Sequence, residues 1–136
     1  MIMKVFVIVA VAVLTAGCSL LSNDSSSPTS PSGSTTSTFS GTVGLQQASF
    51  VAFTTAAGTA SLTLTSVSPT PASGIGLGIG TPNGTSCTLS TFTNSASAST
   101  AAQITASVSA GTYCAQVYDP GNLAAATTFS VTISHP

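Results

Sequence analysis

Few side chains in this 136-residue chain can do covalent or acid–base chemistry: Cys18, Cys87 and Cys114, Asp24 and Asp119, His135, and Lys4. Acid, base or nucleophilic catalysis needs several such groups held together. A Ser-His-Asp site would have to recruit His135 from the next-to-last position, where chains fray. The expectation is therefore that the protein is not an enzyme, has no catalytic residues, and carries His135 as an exposed tail residue. Asp119-Pro120-Gly121-Asn122 reads as a turn, with the Asp side chain bonding the backbone that follows and Gly121 free to take a positive φ. As a calcium site it falls short, because calcium takes about six to eight oxygens, several of them carboxylate. No metal and no cofactor are expected.

Charged residues make up 2% of the sequence, so hydroxyl groups must supply most of its polar surface. The one basic side chain is Lys4, close to the start. Neutralising a phosphate backbone takes several Lys or Arg side chains, which excludes nucleic acid and charge-based binding to anionic lipid headgroups.

The elements that carry these residues begin with a leader. Lys4 followed by the apolar run Val5 to Leu14 reads as a signal peptide over residues 1–17. The run is too short to span a bilayer, which takes about 20 residues. Leu14-Thr15-Ala16-Gly17-Cys18 resembles the lipobox of bacterial lipoproteins, with Thr15 standing where that family usually has Leu. The resemblance implies cleavage before Cys18 and its lipidation, palmitate included, which would hold the protein at a membrane. Ser19 is compatible with sorting to an outer membrane. Residues 18–38 are nearly all Ser, Thr, Pro, Asn and Gly, a composition that cannot bury a core and reads as a disordered tether. The sequons at Asn23 and Asn83 read as linker and turn chemistry.

From Phe39 onward apolar residues alternate with polar ones between Gly, Pro and Asn turns, and no long stretch keeps a helical repeat. The domain, residues 39–136, is therefore expected to be all-β. Strands are predicted at Phe39 to Val43, Ala48 to Thr54, around Leu62, around Leu77, through Cys87 and Leu89, and over 104–108, 112–118 and 127–133, with 94–102 a loop. Seven or eight short strands suit a single antiparallel two-sheet sandwich. Cys87 and Cys114 both fall on predicted strands of an exported chain, so a disulfide between them is expected. Gly74, Gly76, Gly78 and Gly80 alternate with Ile75, Leu77 and Ile79, which leaves one strand face bare. Close packing of another chain segment is the favoured use of that face, ahead of a binding groove. Most Phe should be core, while Tyr118 alternates away from Tyr113, Ala115 and Val117 and is the candidate ligand contact.

Gly58 to Thr65, Ile75 to Thr81, Ser109-Ala110-Gly111-Thr112-Tyr113-Cys114-Ala115-Gln116-Val117-Tyr118-Asp119 and Phe129 to Ile133 together resemble the bacterial pre-peptidase C-terminal domain. That resemblance implies a jelly-roll-like sandwich serving as an accessory or matrix-binding module. Acidic residues with which some relatives hold calcium have no counterpart in residues 36–48, and no accompanying peptidase domain is expected. The expectation is a non-catalytic, lipid-anchored envelope protein, at the outer membrane, that recognises a polysaccharide, peptide or protein partner. The alternative is a structural envelope protein acting by self-association, since its sheet edges carry no Lys.

Overall fold

A computed structural model of the chain describes residues 33–136. The expected signal peptide, Cys18 and most of the expected tether lie outside the described residues. Eight strands follow one another: β1 (Thr35–Val43), β2 (Ala48–Thr55), β3 (Gly58–Ser68), β4 (Ile75–Asn83), β5 (Ser86–Ala96), β6 (Ile104–Val108), β7 (Gly111–Tyr118) and β8 (Thr127–His135). They form two four-stranded sheets, ordered β1-β8-β3-β6 and β2-β7-β4-β5, in which every pair of neighbours is antiparallel. Only the β4–β5 connection stays within one sheet. Every other connection between successive strands crosses from one sheet to the other, which is the jelly-roll arrangement.

Alternation decides which residues meet between the sheets. Leu62, Leu64, Val131 and Ile133 from the first sheet share one buried cluster with Ile75, Leu77, Ile79 and Val117 from the second. Each such Leu or Ile contributes about 1.5–3 kcal/mol by leaving water. The opposite side of the first sheet is uniform. Thr36, Thr38, Ser40 and Thr42 of β1 stand opposite Ser134, Thr132, Ser130 and Thr128 of β8, which face Ser61, Thr63, Ser66 and Ser68 of β3 in turn. Thr105 and Ser107 of β6 extend the same surface. Hydroxyls thus replace the usual charges, and some bond to each other, as Ser40 does to Ser130 at 3.0 Å.

Three boundaries differ from the sequence expectation. β1 starts at Thr35, not Phe39, so the last residues assigned to the tether are strand; their Thr and Ser side chains pair with β8 as far as Thr35 opposite His135. β5 continues through Ala96 into the expected loop because Ala96, 2% exposed, packs inward opposite Ile75. His135 is not an exposed tail residue but the last residue of β8, 8% exposed, its ring stacked on Phe53 with centroids 4.9 Å apart. Its position continues the inward series Phe129, Val131, Ile133, so the alternation carries it into the sandwich.

Candidate recognition face

Cys87 and Cys114 are joined by a disulfide, as expected, with Cα atoms 6.0 Å apart. They belong to β5 and β7, which are not neighbours, since β4 lies between them. The short span is possible because β5 folds closely over the outer side of β4. A Cβ on Gly80 would overlap the Thr88 carbonyl, and one on Gly78 would stand 2.8 Å from the Phe92 Cβ. The glycine alternation therefore serves close packing. Ile75, Leu77 and Ile79 face the core, and the bare side admits β5 and its side chains.

Tyr118 points outward, as the alternation predicts, but it is half-buried. Its ring lies over Gly76, and its hydroxyl donates to Asn94 Oδ1 at 2.5 Å. Burial pushes its phenol above the ordinary tyrosine range, so it stays a neutral donor. The exposed aromatic on this face is Phe92, at 55%. It pairs with Gly78 of β4, whose other neighbour is Gln116 of β7. Leu89 leans over Gly78 as well, its Cδ1 3.0 Å from where a Cβ would sit. Leu89 and Phe92 are three residues apart, and alternation alone would send them to opposite faces. A shift in the β4–β5 register near Ile79 and Gly80 puts both on the outside. Nothing in the sequence signals that shift, so Phe92 is missed by reading residue types.

The resulting surface is uncharged and mixed: an exposed ring, a pinned phenol, the amides of Asn94 and Gln116, and no ionisable carboxylate or amine. Among the described residues no three His, Cys, Asp or Glu side chains gather as metal ligands would.

The two remaining acid–base candidates lie apart. Asp119 follows the end of β7, while His135 belongs to the Phe53–Tyr113 ring cluster at the strand's other end. Six residues of extended chain separate Tyr113 from Asp119, about 20 Å. The Asp119 carboxylate is already committed: Oδ2 accepts the Gln46 N–H at 2.8 Å, and Oδ1 accepts those of Gly121, Asn122 and Leu123 at 2.8, 2.7 and 3.1 Å. These donors, Gln46 foremost, hold its pKa below the ordinary carboxylate range against a smaller opposing effect of burial. Asp119 thus ties the β1–β2 loop to the β7–β8 loop, and Gly121 takes the expected positive φ of 103°. Beside the latter loop, Pro69, Pro71, Leu123 and Ala125 line an uncharged cleft of about 300 Å³.

No protein-family model matches the chain, and no curated protein matches it.

Proposed function

We propose that this chain is a non-catalytic envelope lipoprotein, anchored through lipid on Cys18 at the outer membrane, whose sandwich recognises an uncharged polymer. Of the partners weighed from sequence, a neutral polysaccharide fits the outer side of the second sheet best. The observation that carries this reading is Phe92, exposed at 55% on a charge-free face beside Tyr118, Asn94 and Gln116. A sugar presents apolar ring faces and polar edges, which suit an aromatic ring flanked by amides and a hydroxyl. Charged ligands gain nothing here. The jelly-roll strand order is also what the resemblance to pre-peptidase C-terminal domains implies, and that resemblance supports an accessory role.

The test is binding of residues 19–136, disulfide intact, to an array of neutral glycans, cell-wall fragments and matrix peptides, with and without calcium. Saturable glycan binding, weakened at least tenfold by Phe92→Ala and by Tyr118→Ala and insensitive to salt and calcium, is the expected result. Silence across the array, or binding untouched by both substitutions, rejects the reading.

A further inference from the structure

We infer that the cleft beside the β7–β8 loop extends the recognition face and selects sugars that carry an acetamido group, an inference that rests on the recognition reading and narrows it to one class of sugar. The two surfaces are joined through Asn94. Its side-chain Oδ1 accepts the Tyr118 hydroxyl, and its backbone carbonyl accepts from the Asn122 side chain at 3.4 Å. Asn122 in turn lines the cleft. The contacts follow one another along β4 and just beyond its start: Phe92 lies against Gly78, the Tyr118 ring against Gly76, and the Asn122 amide bonds the carbonyl of Gly74 at 3.4 Å. A polymer lying on Phe92 and Tyr118 and continuing in that direction therefore arrives at the cleft.

The cleft is apolar in its walls and acceptor-rich at its rim. Pro69, Pro71 and Ala72 of the β3–β4 loop face Leu123 and Ala125 of the β7–β8 loop, and none of the lining residues is charged. The two hydroxyls in the wall are turned back on the protein, Thr70 donating to the Val67 carbonyl and Thr127 to that of Ala125. Asn122 spends both side-chain N–H groups on Gly74 and Asn94, while its Oδ1 has no donor among the described residues. Asn122 is exposed, so a ligand can reach that oxygen.

An acetamido group is the complement of this arrangement, since its methyl is apolar and its N–H donates. A sugar hydroxyl also donates but brings nothing apolar, and an O-acetyl ester brings the methyl without a donor. A carboxylate or phosphate meets no cation. At about 300 Å³ the cleft is at the lower end of the range for ligand pockets, which suits a substituent and not a length of polymer. Filling the apolar part and satisfying the lone acceptor favours the acetamido sugar over its hydroxyl counterpart.

Calorimetric titration of residues 19–136, disulfide intact, compares two neutral oligosaccharides of equal length: a cello-oligosaccharide, and a chito-oligosaccharide that bears acetamido where the other bears a hydroxyl. The chito form should bind at least tenfold more tightly. Ala125→Leu, which fills the cleft from an exposed loop position, should abolish that preference and leave the melting temperature and the affinity for the cello form unchanged. Ala126→Leu beside it should preserve the preference, and Phe92→Ala should weaken both sugars alike. Cell-wall glycan strands, in which every second residue carries an acidic lactyl ether, form a further arm: a loss there with Ala125→Leu assigns the acetamido sugar to the wall, and a loss confined to the chito form assigns it to a plain amino-sugar polymer. Equal affinity for the two oligosaccharides, or a preference that survives Ala125→Leu, overturns the inference and leaves the recognition reading standing. So does an effect of Ala125→Leu on an N-acetylated alanine peptide and on neither sugar. Silence toward every glycan overturns both.

Discussion

Tyr118 lies across Gly76 so closely that a Cβ on the glycine would stand 2.4 Å from its ring, and the Tyr hydroxyl reaches Asn94 beyond it. Gly76→Ala should therefore displace the ring and break the hydroxyl contact. The expected cost is about 1–3 kcal/mol, the usual range for overpacking. Gly80→Ala should cost more than Gly76→Ala, because its obstacle is the Thr88 backbone and not a side chain that can swing away. Urea unfolding of the two variants checks the order; equal midpoints would contradict it.

The strands around Leu62, Leu77 and Phe129 and the disulfide were legible because each rests on local information: period-two alternation, turn residues, and two cysteines on expected strands of a chain read as exported. The pairing of β1 with β8 was not, since it joins the two ends of the domain and depends on how sheets stack. His135 illustrates the limit. Its inward position follows from the Phe129, Val131, Ile133 series, but proximity to the end of the chain suggested fraying instead. At the candidate face the alternation identified Tyr118 and missed Phe92, whose outward placement depends on the register shift in β5.

Reducing the Cys87–Cys114 bridge, or replacing both residues with Ala, frees a loop of sequence separation 27. Chain-entropy arguments put the loss at roughly 3–4 kcal/mol. Unfolding with and without reductant measures it. A change below about 1 kcal/mol would mean that the fold over β4 is held by packing alone.

The folded Asp119 carboxylate has a depressed pKa, so the unfolded state binds the proton more readily. Its stabilising contribution is complete above the unfolded value, near 4, and is lost as pH falls from there through the folded pKa. Thermal melts of the wild type should drop across that acid window, and Asp119→Asn should flatten this part of the profile while lowering the melting temperature at pH 7. A wild-type profile as steep in the variant would show that another group is responsible.

Deleting His135 and Pro136 should destabilise the domain, by about 1–2 kcal/mol, because the stack on Phe53 is lost. Thr55 also loses the Pro136 carbonyl that its hydroxyl bonds at 3.3 Å. An unaltered melting temperature would restore the view of these residues as a loose tail.

The opposition of Thr35 and His135 has a mechanical side. Tension arriving through the residues that precede β1 enters the ladder at its open end, where the first strand begins and the last one stops. Force applied there across the strands, between the start of β1 and the end of β8, peels the two apart one hydrogen bond after another, whereas a load along the strands would have to shear the whole row at once. Held by its two ends, the domain opens most easily from this end, and β1 is the first strand to leave.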